Sequence, residues 1–216
     1  QFFAGIRWYM DDYQFREIEE DGEIAEGTLA GSKGGTASSL GGVWLYDTRD
    51  NQFWPGKGWL IEASLTGDER LTGSDFRYAR FSLEASHYRT FLKNNKLAFN
   101  FVSIFSSQGV PFFNMALIST PRRLRGYPEG KYRDRNQIIA QAEWRFPIFW
   151  RFKGVLFTGA GTVFGTKGDV FKLRPNAGLG LRFEFDRKQQ LHMRVDYGFG
   201  QGKGNSGAYI TIGEAF

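Results

Sequence analysis

The feature that most constrains this chain is a period-two alternation of apolar and polar residues, repeated along its length in segments of about ten residues. In the clearest segment Leu191, Met193, Val195, Tyr197 and Phe199 fall on one face, and His192, Arg194, Asp196 and Gly198 on the other. Ile138, Ala140, Ala142, Trp144 and Phe146 oppose Gln137, Gln141, Glu143 and Arg145 in the same way. Ala177, Leu179, Leu181, Phe183 and Phe185 oppose Asn176, Gly178, Gly180, Arg182 and Glu184. Successive side chains of an extended backbone point to opposite sides, so each segment reads as a strand with one apolar and one polar face.

Alternation alone fits two architectures. In a soluble sandwich the apolar face is the core; in a transmembrane barrel it meets lipid and the polar face lines the lumen. The segments here share one long two-sided character with aromatics at their ends, whereas a sandwich mixes in short edge strands. Composition points the same way. Aromatics make up 17% of the 216 residues and glycines number 28, yet 24% are charged and the mean hydropathy is −0.41. The fold class expected is therefore all-β, an antiparallel transmembrane β-barrel.

Other classes fall away. No run of about 18 apolar residues occurs, which excludes a helical membrane protein. Residues 1–5 already read as strand rather than as an export signal, so the chain is expected to be a mature or truncated product. There are no cysteines, hence no disulfide and no thiolate metal site. The net charge of +5 comes from 28 basic residues scattered among 23 acidic ones, without the basic block that nucleic-acid binding requires. His87 and His192 lie on different strands without ligand spacing. No nucleophile elbow, acid–base carboxylate pair or phosphate loop is present, so no enzyme activity and no cofactor are expected.

Ten strands are predicted, at 2–16, 40–48, 57–67, 74–91, 95–106, 136–147, 152–165, 173–186, 190–200 and 206–216. Short connections near 49–56, 92–94, 148–151 and 187–189 alternate with long ones at 17–39 and 107–135, and with possible ones at 166–172 and 201–205. The alternation suits short periplasmic turns and long extracellular loops on a single barrel domain spanning 1–216. Residues 17–39, acidic and then Gly/Ser-rich, read as a mobile surface loop. Trp8, Trp44, Trp54, Trp59, Trp144 and Trp150 read as interface-belt or packing aromatics.

Three segments carry a resemblance. Leu124-Arg125-Gly126-Tyr127-Pro128-Glu129-Gly130, in the longest loop, resembles the (V/I)RG(F/Y) motif of the BamA/TamA superfamily of outer-membrane barrels. Residues 46–58, containing Asp47, Arg49, Asp50, Pro55 and Gly58, resemble that family's D-x-R-D…P-x-x-G periplasmic turn. The end of the chain, with Ile210, Ile212 and Gly213 leading to Phe216, resembles the β-signal of outer-membrane proteins, with Ile210, Ile212 and Phe216 on one face.

The resemblance covers nearly the whole chain and implies the C-terminal part of a sixteen-stranded barrel; a free-standing ten-stranded barrel is the alternative. It implies that the RGY loop folds into the lumen, where Arg125 meets acidic residues of the wall. Glu143 follows on the next strand as the proposed partner. A second acid is expected in a pattern like F-x-D-x-G on the strand after, but glycine stands at that place, Gly159, in Phe157-Thr158-Gly159-Ala160-Gly161. The bland alternative for Arg125 is an exposed loop arginine. Glu143, Arg145, Arg182, Glu184, Arg194 and Asp196 read as a mutually neutralising lumen wall rather than a selective pore.

The function implied is an outer-membrane assembly factor that inserts client β-barrels by strand pairing at a lateral seam, with lipid, client proteins and periplasmic or lipoprotein subunits as partners. Gly198, Gly200, Gly202, Gly204 and Gly207 would make the sheet near that seam deformable. The alternatives are a barrel anchoring or exporting a fused enzyme (patatin-like or phosphoesterase), or a passive pore. The location implied is the bacterial outer membrane.

Overall fold

The fold is described from a computed structural model covering residues 1–16, 27, 29–166 and 171–216. In chain order the strands are β1 (Phe2–Tyr13), β2 (Gly35–Asp47), β3 (Lys57–Asp68), β4 (Tyr78–Phe91), β5 (Asn95–Ser106), β6 (Ala116–Leu117), β7 (Arg133–Asp134), β8 (Asn136–Phe149), β9 (Phe152–Phe164), β10 (Arg174–Asp186), β11 (Leu191–Gly200) and β12 (Ser206–Ile212). Ten of them form one antiparallel sheet in the order β1-β2-β3-β4-β5-β8-β9-β10-β11-β12. The two-residue strands β6 and β7 pair inside the loop between β5 and β8. Every sheet connection joins neighbours, so the sheet is an unbroken meander with β1 and β12 at its edges. Strands of 12 to 14 residues, at about 3.3 Å per residue, reach roughly 40 Å, enough to cross a bilayer at a tilt.

Burial is inverted relative to a soluble protein. Arg145 and Arg182 are 0% exposed, whereas Phe199 is 51% and Ile210 72% exposed on the opposite face. The alternation is thus real, but the polar face is the one that is closed in. Only a hydrocarbon solvent makes that arrangement favourable, because each outward Leu, Phe, Tyr or Val would otherwise sit in water. Among the described residues no helix is long and apolar enough to cross a membrane; the strands do so.

The sheet curls far enough for opposite walls to touch through inserted elements. Three buried clusters fill the concave side. The loop residues Ile118, Leu124 and Tyr127 pack on Val102 and Ile139. Ala215 and Phe216 pack on Tyr88 and Ala98. Trp54, from the β2–β3 turn, packs on Val155 and Phe157 of β9.

Several predicted boundaries move. β2 begins at Gly35, so residues 35–39 of the predicted loop are strand, paired in register from Tyr13↔Gly35 onward. Gly-Thr-Ala-Ser-Ser lacks the large apolar residues that mark an alternation, and the β1 partner supplies the pairing instead. β1 stops at Tyr13 rather than 16, and β4 starts at Tyr78 after a turn of 3₁₀-helix at Arg70–Thr72. The end of the chain changes too: β12 stops at Ile212 instead of running to 216. The acidic part of the predicted 17–39 loop (17–26 and 28), and residues 167–170 of the connection predicted at 166–172, lie outside the described residues.

Candidate functional site

The loop between β5 and β8 folds back into the curl of the sheet and carries the RGY residues to its centre. Leu124 and Arg125 are 0% and 1% exposed. Leu124 has φ +38°, a conformation costly for a branched side chain, and it is held there by its N–H donating to Gln141 Oε1 at 2.8 Å. Gly126 follows with φ +116°. A Cβ on Gly126 would sit 2.7 Å from the backbone N and C of Phe199, so only glycine lets the loop lie directly on β11. The wall is shaped to match. A Cβ on Gly198 would lie 2.6 Å from the Arg125 carbonyl, and one on Gly200 would lie 2.6 Å from the Tyr127 ring. These two glycines, read from sequence as a source of deformability, form the bed of the loop.

Backbone and hydroxyl bonds fix the tip on several strands at once. Asn176 Nδ2 donates to the Arg125 carbonyl at 2.8 Å. Gly126 N–H donates to the Tyr209 hydroxyl on β12 at 2.8 Å. Tyr127 Oη donates to the Pro175 carbonyl at 2.5 Å and accepts from Gln201 N–H at 2.9 Å. Ser119 Oγ closes the loop on itself, donating to the carbonyls of Leu124 and Tyr127.

Arg125 is gripped between two carboxylates from different walls. Its Nη2 bonds Glu143 Oε1 of β8 at 2.5 Å, and its Nη1 pairs with Asp196 Oδ2 of β11. The guanidinium plane lies over the Phe157 ring, 3.6 Å from its centroid. Glu143 also binds Arg145 at 2.8 Å; Asp196 also binds Arg182 at 2.5 Å and lies 3.4 Å from Arg194. Arg182 continues to Glu214 at 2.9 Å. Four guanidiniums therefore meet three carboxylates: Glu143 and Asp196 are buried and the Glu214 side chain is 3% exposed. Main-chain oxygens complete the set: Arg145 donates to that of Phe216 and Arg194 to that of Pro121. A network of this kind holds one geometry firmly, since removing any member strands a buried charge.

The resemblance places the second carboxylate on β9, where Gly159 stands. It comes instead from β11, where Asp196-Tyr197-Gly198 carries the D-x-G spacing. At Gly159 a Cβ would already be 2.8 Å from the Ala140 carbonyl, which leaves no room for an acidic side chain. Asp196 lies in the most regular strand, where alternation marks it as lumen-facing but does not single it out from the other wall charges.

The β2–β3 turn is built by its polar residues. Asp47 accepts Arg49 N–H at 3.0 Å and its guanidinium at 2.7 Å. Asp50 Oδ1 accepts the N–H groups of Gly56 at 2.8 Å and Lys57 at 3.2 Å. Pro55 is buried beside Trp54. A Cβ on Gly58 (φ +106°) would strike the Thr48 carbonyl at 2.2 Å. The turn's product is the placement of Trp54, which is 5% exposed in the lumen. Its ring lies 4.3 Å from that of His192 on the far wall and between the ammonium groups of Lys96 and Lys153, at 5.2 and 4.7 Å. Of the two readings offered for the tryptophans, packing describes Trp54, while Trp8, Trp44, Trp59, Trp144 and Trp150 are exposed.

The end of the chain departs from expectation. Ile210 and Ile212 face outward, but Gly213 turns the chain at φ +84° and Phe216 is 7% exposed inside the lumen, on the opposite side of the sheet from the two isoleucines. The outward face beyond Ile212 is not continued because Glu214 is drawn inward to Arg182. Arg122 Nε of the RGY loop donates to the Ala215 carbonyl at 2.7 Å, so loop and chain end are tied to each other.

Comparison with known proteins fits this arrangement. A family described as the Omp85 superfamily domain matches residues 8–216. Among solved structures, that of BamA from Haemophilus ducreyi lacking POTRA domains 1–3 is similar at a TM-score of 0.72 and 16% identity, over 98% of this chain. The match takes in 50% of that protein's chain, so this chain spans half its length. Comparison with curated proteins finds no match.

Proposed function

The chain belongs to the Omp85 superfamily of bacterial outer-membrane β-barrels, and from that premise we propose that it is the C-terminal barrel portion of a BamA/TamA-type assembly factor. On this reading it aids insertion of other β-barrel proteins by pairing with their strands at a lateral seam. The observation that carries the proposal is β12. It is an edge strand of seven residues, and the chain leaves the sheet at Gly213 instead of extending it. Seven residues offer few backbone bonds to a strand on the outer side of β12, so in hydrocarbon an incoming strand that completes the set there is favoured. No catalytic group or cofactor is needed, since the work is exchange of hydrogen bonds and burial of apolar surface.

The buried Arg125–Glu143–Asp196 clamp supports a bracing role: it ties β8 to β11 through the loop. The filled lumen (loop, Trp54 and Phe216) weighs against a passive pore. The partners proposed are outer-membrane lipid, client barrels, and periplasmic or lipoprotein accessory subunits.

The test is reconstitution. Vesicles containing the full-length protein should accelerate folding of an unfolded client barrel relative to empty vesicles. Equal rates in both would end this reading. The sequence preceding Gln1 separates it from the rival role as anchor of a fused enzyme: POTRA repeats favour the assembly factor, an enzyme domain the anchor.

A further inference from the structure

A cavity of about 300 Å³ opens at the short-turn end of the sheet, with Lys96, Lys153, Trp54, Trp150, Asn94 and Gln190 in its wall. Lys96 and Lys153 are each the second residue of their strand, β5 and β9. Asn94, Trp150 and Gln190 come from the β4–β5, β8–β9 and β10–β11 turns, and hold φ values of 64°, 48° and 57°. For an aromatic as bulky as Trp150 that conformation is rare. All of these elements lie within the sheet, so the cavity does not involve the edge strands β1 and β12.

The wall carries positive charge without matching acid. None of the lining residues is acidic. Lys96 Nζ donates to the Trp54 carbonyl at 2.7 Å, its one hydrogen bond among the described residues. An ammonium has three N–H donors, so Lys96 keeps two for a ligand. The Trp54 ring lies 5.2 Å from Lys96 Nζ and 4.7 Å from Lys153 Nζ, which holds both cations at the cavity. A third cation, Arg151, lies 5.1 Å over the Trp150 ring, and its Nε is buried without a hydrogen-bond partner. Among the described residues Glu184 alone pairs with any of the three, 3.1 Å from Lys153. Partly buried cations in excess of carboxylates favour a bound anion.

The rim says what that anion is attached to. Trp150 also reaches the outward face, where its ring lies 6.2 and 6.1 Å from those of Phe152 and Phe183. Phe149 extends the same aromatic surface, 5.3 Å from Phe152. Ile148, Phe149 and Trp150 are exposed at this rim. One tryptophan thus joins a cationic cavity to an apolar exterior, which suits an amphiphile with its anion inside and its hydrocarbon outside. A soluble anion would leave the aromatic surface without a role.

We propose that this cavity binds the phosphate of a phospholipid headgroup. Lys96 and Lys153 bond the phosphate oxygens, the Asn94 and Gln190 amides meet the polar substituent, and an acyl chain lies on Phe149, Trp150, Phe152 and Phe183. Short turns of such barrels face the periplasm, so the lipid is one of the inner leaflet. The bound headgroup ties four turns together at the membrane surface, a role independent of the assembly reading above.

The experiment is native mass spectrometry of the full-length protein released from a neutral detergent, with dimyristoyl phosphatidylglycerol or the matching diacylglycerol added. Wild-type protein should retain the phospholipid about tenfold more tightly than the diacylglycerol, a comparison that needs no variant. The double variant Lys96→Gln, Lys153→Gln, checked for folding by its gel shift, should lose that preference. If it does not fold, the wild-type comparison decides alone. Equal retention of the two lipids by wild type, or an undiminished preference in the folded double variant, overturns the proposal. Glycerol 3-phosphate that displaces the phospholipid at equal concentration assigns the cavity to a soluble anion. An acidic peptide that does so assigns it to a protein partner, and either result overturns the lipid.

Discussion

Gly126 in the RGY loop and Gly198 on β11 lie backbone against backbone: a Cβ on either would come within 2.9 Å of main-chain atoms of the other's segment. Such an approach is open only where both partners lack a side chain, and it sets Arg125 at the depth where Glu143 and Asp196 can reach it together. Gly198→Val should therefore lift the loop and cost about 3 kcal/mol, the upper range for overpacking, since backbone cannot move aside as a side chain can. Urea unfolding followed by the shift between folded and unfolded gel bands measures the loss, and trypsin should newly cut at Arg122 or Arg123. An unchanged midpoint together with a protected loop would count against this account.

Arg125→Ala removes the cation that two buried carboxylates share, leaving Glu143 with Arg145 alone and Asp196 with Arg182 and Arg194. A loss of about 3–5 kcal/mol is expected by the same unfolding assay. Arg125→Lys should recover little, because an ammonium cannot span two carboxylates and stack on Phe157 as the planar fork does. In an Arg125→Ala background, Glu143→Gln should deepen the loss, because it leaves the buried Arg145 without its carboxylate. Full stability of Arg125→Ala would show that the clamp contributes nothing to the fold.

Trp54→Ala should act on both stability and permeation. Removing a buried indole costs about 3–5 kcal/mol in general, and here it also empties the space between β3's turn and the β9 and β11 walls. Single-channel recordings in planar bilayers should show higher conductance than wild type. If conductance stays at the wild-type level, Trp54 does not obstruct the lumen.

On the outer face, Ile210→Lys places a charge in lipid and should cost about 2–4 kcal/mol in bilayers if the residue sits near the midplane. The same substitution should matter far less in detergent micelles, where water reaches the strand. Thr211→Ala, one residue along and facing the lumen, is expected to be nearly neutral in both. Folding yields in vesicles and micelles decide between lipid exposure and a packing role for Ile210.

Much of this was legible in the chain itself. Ten strands, their two unlike faces and the short-then-long rhythm of connections follow from residue periodicity and turn chemistry, which act over a few residues and leave their mark in order along the sequence. The RGY segment, Glu143 and the Asp47–Gly58 turn stood out through their resemblance to the family's short motifs, which are contiguous in sequence. β2's first five residues were not, because small residues carry no periodicity and are strand only by virtue of pairing with β1.

The remainder was decided by how the sheet curls. Asp196 is 71 residues from Arg125, Trp54 meets His192 from the opposite wall, and Phe216 settles on Tyr88 and Ala98, more than a hundred positions away in sequence. Alternation states which side of a strand a residue faces. Which other strand waits across the lumen depends on curvature, on how far a loop folds back and on where glycines let backbones touch. Those are properties of the assembled sheet. The sequence by itself determined a membrane-spanning sheet with a charged interior; only the tertiary structure decided that Arg125 is clamped by Glu143 and Asp196, and that the chain's end turns inward beside it, because burying four guanidiniums is tolerable only where enough acceptors converge from separate strands.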